Sequence, residues 1–272
     1  MPLPDRRIAA QGAGGRLTAA LGWASVLAVM LAPVALAAFS PYLASRTASY
    51  ILGGFAGIAC LALLVLQPLL PAGYLAGSRG TPGRRWHRWL GTAIVAAVAL
   101  HVGGLYVASP EDTIDALLLV SPTPFSIYGV LAMAGVAATA LLVLLRRRLG
   151  LRPVSWRLIH NGLAAIVVAA TVIHALQIEG AMEPVSKWIL CAAAIVATGV
   201  ALADLRIVRP LRVSRKYARK READSRDAQA QLMSRPTPAP SDDAHAQSQS
   251  PAHPPHPHSP DRPSAEASAP SR

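Results

Sequence analysis

The chain has 272 residues, of which 53% are hydrophobic and only 15% charged, and it carries a formal net charge of +12. Soluble domains carry nearer a quarter charged residues, whereas here the apolar residues gather in runs of about 20 with the charges between them. That excludes a soluble globular domain, and it turns the basic balance from a nucleic-acid signal into a topology signal, because the arginine clusters flank the apolar runs. The two cysteines, Cys60 and Cys191, both lie inside apolar runs without a neighbouring thiol, so neither a disulfide framework nor a zinc motif is indicated.

The pattern predicts an all-α, polytopic membrane protein: a bundle of six transmembrane helices with a disordered C-terminal tail. Residues 1–16 form a basic N-terminal segment with Arg6, Arg7 and Arg16. The six spans fall at roughly 17–39, 50–72, 87–108, 127–145, 157–177 and 187–206. The first follows a basic segment and ends in Ala35-Leu36-Ala37, which is compatible with a cleaved signal peptide, but its apolar run of about 22 residues exceeds a typical signal core and fits a retained helix better. Arg79, Arg84, Arg85 and Arg88 fill the loop after span two, Arg146, Arg147, Arg148, Arg152 and Arg157 the loop after span four, and Arg206 to Lys216 follow span six. The alternate loops are poor in Lys and Arg, and the middle one is acidic, with Glu111, Asp112 and Asp115. The positive-inside rule places both termini in the cytoplasm of a bacterial-type inner membrane and makes spans three and five parallel. Residues 207–272 are basic at first and then rich in Pro, Ser and His. From about residue 222 the composition cannot bury a core, which predicts disorder. His245, His253, His256 and His258 lie there, as solvated side chains or as weak metal ligands.

The other four histidines are all in spans three and five. His87 and His101 are 14 residues apart, and so are His160 and His174. On an α-helix 14 residues amount to four turns less about 40°, and about 21 Å of rise, so each pair lies on roughly one face with its rings towards opposite sides of the bilayer. Parallel helices then set His87 against His160 near the cytoplasmic side and His101 against His174 near the outer side. Ionisable groups within a bilayer are costly and tend to be functional. Neutral imidazoles in pairs are good axial ligands for heme iron, and two of them give a low-spin centre suited to electron transfer. On the same faces lie Gly91, Ile94 and Val98, and Ala164, Val167 and Thr171. The small Gly91 and Ala164 would let a flat macrocycle approach the backbone, or serve helix packing alone. Arg88 and Arg157, with Arg84 and Arg85, sit at the cytoplasmic edge, where they could pair with heme propionates or with lipid headgroups.

The stretch Trp86-His87-Arg88-Trp89-Leu90-Gly91 followed by His101, and Trp156-Arg157-Leu158-Ile159-His160 running to Ile173-His174, resemble helices three and five of the ferric reductase-like transmembrane family. That family includes ferric reductases, NADPH oxidases and the heme-binding subunit of the bacterial periplasmic methionine sulfoxide reductase system. The resemblance covers about residues 17–206. It implies two b-type hemes, one held by His87 and His160 and the other by His101 and His174. It also implies electron flow from a cytoplasmic donor to an outer acceptor.

One departure stands out: the stretch after the last span is short and has no Gly-rich nucleotide fingerprint. The expectation is a stand-alone membrane subunit that takes electrons from a flavin reductase carrying FMN or FAD, or from the quinone pool. The acceptor would be ferric iron, oxygen, quinone or a periplasmic oxidoreductase. A cytochrome b subunit of a quinone- or dehydrogenase-type complex, and a heme-free transporter with histidine relays, are the competing readings. A nucleic-acid partner is not expected.

Overall fold

A computed structural model describes residues 6–233 of the chain, with side chains described from Gly15 onward apart from positions 207–213, 216, 228 and 232. Every element in that range is helical. The order is α1 (Arg6–Ala38), α2 (Ala48–Ala72), α3 (Thr81–Ala108), α4 (Pro110–Leu117), α5 (Pro124–Leu149), α6 (Pro153–Gln177), α7 (Pro184–Ala203) and α8 (Arg209–Met233), with a π-helical turn over Asp204–Val208. Six of these helices are long and apolar enough to cross a membrane: those containing Gly15–Ala38, Ala48–Ala72, Thr81–Ala108, Pro124–Leu149, Pro153–Gln177 and Pro184–Arg206. The chain is a multi-pass membrane protein of six helices. The acidic loop between the third and fourth spans is not irregular throughout; Glu111 and Asp112 start the short helix α4, where carboxylates suit a helix N-terminus.

The chain divides into one compact unit over Met1–Lys216 and a second from Tyr217 onward. Within the first unit, α2 is the central helix, and its buried face carries Cys60, Leu61, Leu64, Val65 and Leu70. It packs closely on α3 and also on α7, while α6 packs on α5 and α7. The α2–α3 approach depends on glycine: a Cβ on Gly104 would fall 2.8 Å from the Gly53 Cα, so the two backbones touch where both side chains are absent. On the other side, a Cβ on Gly135 of α5 would meet Val167 Cγ2 of α6 at 2.7 Å. The helices α3 and α6, which carry the histidines, scarcely touch each other; each is held mainly by its own neighbour.

Span ends shift by a few residues for local reasons. Helix α3 starts at Thr81, with Pro82 in its first turn, where the missing N–H costs nothing. His87 therefore sits well inside the helix rather than at its start. Helix α2 stops at Gly73, which takes the left-handed conformation (φ 74°) and donates to the Leu69 and Leu70 carbonyls.

Beyond the last span the chain continues as helix α8 to Met233. Its Arg, Lys, Glu, Ala and Gln residues are strong helix formers, and low hydrophobicity rules out a core without ruling out a helix. Residues 234–272, with the four tail histidines, lie outside the described residues.

Candidate metal centres

The four intramembrane histidines meet in two pairs across α3 and α6. The rings of His87 and His160 have centroids 6.0 Å apart, and those of His101 and His174 are 6.3 Å apart; in both pairs the planes cross at 79°. First meets first and second meets second, so α3 and α6 run parallel.

Three of the four rings are fixed by a backbone carbonyl on a neighbouring helix. His87 Nδ1 lies 3.0 Å from the Gln67 carbonyl oxygen, His101 Nδ1 2.8 Å from that of Gly53, and His174 Nδ1 2.7 Å from that of Phe125. A carbonyl only accepts, so each Nδ1 carries the proton and donates, which leaves the Nε2 lone pair free. Carbonyl support of this kind fixes ring orientation and raises the basicity of a metal-ligating imidazole.

The local sequence explains why those carbonyls are accessible. The Gln67 oxygen would ordinarily accept from residue 71, but Pro71 has no N–H, so the acceptor is free for His87. The Gly53 and Phe125 carbonyls are each followed four residues later by glycine. A Cβ on Gly57 would lie 2.9 Å from His101 Nδ1, and one on Gly129 2.7 Å from His174 Cε1. The missing side chains form the beds on which these two imidazoles lie. Gln67 also reaches across with its side chain, Nε2 donating to the His87 carbonyl at 3.1 Å.

His160 is different. Its Nδ1 is buried without a hydrogen-bond partner among the described residues. Instead the ring stacks on Trp156 one turn earlier, with centroids 5.7 Å apart and planes within 8° of parallel. The Arg146 guanidinium lies over the other part of this stack, 4.7 Å from the Trp156 ring.

The spacing of the pairs suits one metal each. Two metal–imidazole bonds of about 2.0–2.1 Å, with the short distance from each nitrogen to its ring centre, come to about 6 Å. Among the described residues no cluster of three or more His, Cys, Asp or Glu side chains forms a metal site. Any further ligands would have to come from a prosthetic group.

The remaining sequence candidates are more dispersed. Gly91 gives way to Gln67 rather than to open space: a Cβ there would meet Gln67 Nε2 at 3.3 Å. Ile94 and Val167 are buried between the two levels of histidines. Arg88 lines an open groove on α3 with Arg85, Trp89 and Thr92, a face turned well away from His87 on the helical wheel. Arg157 is exposed near the start of α6. Gly53, Gly57, Gln67, Phe125, Gly129 and Trp156 went unremarked as site residues in the sequence; the glycine or proline four residues past each acceptor was the available signal.

Six apolar spans with two cross-helix histidine pairs define a multi-pass α-helical membrane protein built around paired intramembrane imidazoles. The family model described as Ferric reductase like transmembrane component matches residues 52–171 of the chain. The matched stretch includes His87, His101 and His160 and stops just short of His174. No curated protein and no solved structure gives a significant match to the chain.

Proposed function

We propose that this chain is a transmembrane electron carrier holding two b-type hemes, an inner one between His87 and His160 and an outer one between His101 and His174. The observation that carries this reading is the meeting of the rings in two pairs at 6.0 and 6.3 Å on helices that otherwise stand apart. Heme iron with two imidazole ligands supplies reversible one-electron chemistry with little change of geometry. The protein's residues do the rest. The carbonyls of Gln67, Gly53 and Phe125 hold three imidazoles in one tautomer. Ile94 and Val167 keep the space between the two levels apolar. The two levels are about 21 Å apart along the helices, far enough to carry charge across most of the bilayer core.

The donor in this reading is a cytoplasmic flavin reductase with FMN or FAD, or the quinol pool, and the acceptor lies on the outer side: ferric iron or a periplasmic oxidoreductase. In this reading the basic loops face the cytoplasm of a bacterial inner membrane, with the inner pair and both termini on that side. Arg157, and to a lesser degree Arg88, are the candidates for propionate contacts. A pyridine hemochrome assay on purified, folded protein should give two hemes per chain. Folded protein without a Soret band would instead support a heme-free transporter with histidine relays.

A further inference from the structure

Three of the four imidazoles have a carbonyl behind them and the fourth does not. His160 Nδ1 is buried and unpartnered among the described residues, and the ring lies flat on Trp156, which in turn lies under Arg146. The position on α5 that corresponds to Gln67 is Thr139, counting by the offset that relates Gly53 to Phe125 and Gly57 to Gly129. Four residues past Thr139 stands Val143, neither a glycine that would clear a bed nor a proline that would free the carbonyl. The Thr139 hydroxyl is turned to the Gly135 carbonyl at 2.8 Å.

We infer that Trp156 is the positioning residue of the inner centre: with the Arg146 guanidinium over its ring, the indole takes the place of the missing carbonyl and sets the orientation of His160. This rests on the heme reading above.

The physics separates the two kinds of support. A hydrogen bond to a carbonyl fixes both the tautomer and the direction of the ring, and it strengthens the imidazole as a donor. A face-to-face stack fixes the plane of the ring but leaves rotation within that plane softer, and adds no donor strength. Offset aromatic stacking stabilises the pair beyond the burial of area, and an arginine over an indole adds a cation–π attraction. His160 is therefore the most weakly directed of the four ligands. Without the indole it has neither form of support.

The test compares Trp156→Leu, which keeps bulk and removes the flat face, with Trp156→Phe, which keeps a ring. Each centre is followed separately by redox titration and by carbon monoxide binding to the reduced protein, since carbon monoxide captures ferrous heme that has lost an axial ligand. In Trp156→Leu the inner centre should bind carbon monoxide at least ten times faster than in the unaltered protein, with a shifted midpoint potential. The outer centre should keep its native potential, and Trp156→Phe should restore most of the native behaviour. An inner centre in Trp156→Leu that matches the unaltered protein in both readouts overturns the proposal. If Trp156→Leu loses both centres, Arg146→Lys decides. It keeps the charge and loses the flat guanidinium, and it should quicken carbon monoxide capture at the inner centre at least two-fold; no change overturns the proposal. Absence of heme from the unaltered protein would instead remove the reading on which this stands.

Discussion

Gly129 of α5 lies directly against the His174 ring: a Cβ built on it would stand 2.7 Å from Cε1 and 2.9 Å from Nδ1. The imidazole cannot withdraw far, because its Nδ1 is bonded to Phe125 on the same helix at 2.7 Å. A methyl group at position 129 therefore displaces the ring that would ligate the outer heme. Gly129→Ala should cost about 1–3 kcal/mol, typical of overpacking, and should lower occupancy or shift the potential of the outer centre alone. Gly57→Ala should do the same through His101. Gly162→Ala, where nothing lies within 4 Å of the added carbon, should leave both centres native. Equal effects of all three changes would contradict the geometry.

Pairing gives a second test. His101→Ala and His174→Ala should each remove the same outer heme, and His87→Ala and His160→Ala the same inner one, because the rings meet in those combinations. Redox titration of the four variants reads this directly. If His101→Ala and His174→Ala depleted different hemes, the assignment of one shared iron per pair would fail.

The N-terminus of α7 offers a pH-dependent test outside the membrane. The Glu183 carboxylate accepts from the backbone N–H groups of Ser186 at 2.6 Å and Val185 at 2.9 Å, and these bonds hold its carboxyl below the usual carboxylate range. A depressed value in the folded state means that the cap's contribution is present above the unfolded value and is lost as pH falls through the folded one. Protection of the Val185 and Ser186 amides, taken relative to their intrinsic exchange rates, should fall on acidification below about pH 4, the ordinary range of a glutamate. Glu183→Ala should show the lower protection at every pH. Because the carboxylate is fully exposed, the effect should be local, with heme content unchanged.

Electron supply is the fourth test. The loops around Arg79–Arg88 and Arg146–Arg157 are strongly basic, so an anionic reduced flavin or an acidic flavoprotein should meet the inner centre first. That encounter should slow as salt rises. In inside-out vesicles, NADH alone should leave the hemes oxidised, while a flavin reductase with NADH, or a quinol, should reduce them. Rapid reduction by NADH without a partner would place a nucleotide site in this chain.

The last test concerns residues 234–272. Their Pro, Ser and His composition has no apolar pattern with which to cover a membrane bundle. Truncation after Met233 should leave heme content and reduction rate unchanged, and loss of heme on truncation would assign the segment a part in the centres.

Much of this was legible in the residues themselves. Long apolar runs separated by arginine clusters announce spanning helices whatever the partners, and a repeated 14-residue histidine spacing states which rings share a level. The carbonyl acceptors could not be read in that way. Gly53 and His101 are 48 residues apart in the chain, and only the close packing of α2 on α3 brings them within 2.8 Å. Nor could the tertiary neighbour of Gly91 on the histidine face, the Gln67 side chain, be read from helical spacing. The extent of α8 is set by intrinsic helix preference, which does not depend on burial.

The helices α2 and α3 repeat in α5 and α6. Gly53, Gly57, His87 and His101 correspond to Phe125, Gly129, His160 and His174 at offsets of 72, 72, 73 and 73 residues. The parallel course of α3 and α6 makes this a pseudo-twofold relation about the membrane normal. Two hairpins of one design could be exchanged without changing either level of histidines, so the duplicated frame favours neither ligand helix over the other. Each level is nevertheless held by one residue from each copy, so each level depends on both hairpins. The copies differ most plainly at Gln67 and Thr139, with Pro71 and Val143 four residues on, and that difference falls entirely on the level nearer the basic loops. Grafting glutamine and proline at positions 139 and 143 would make the two halves alike there, and would show how much of the difference between the levels arises from this single break in the symmetry.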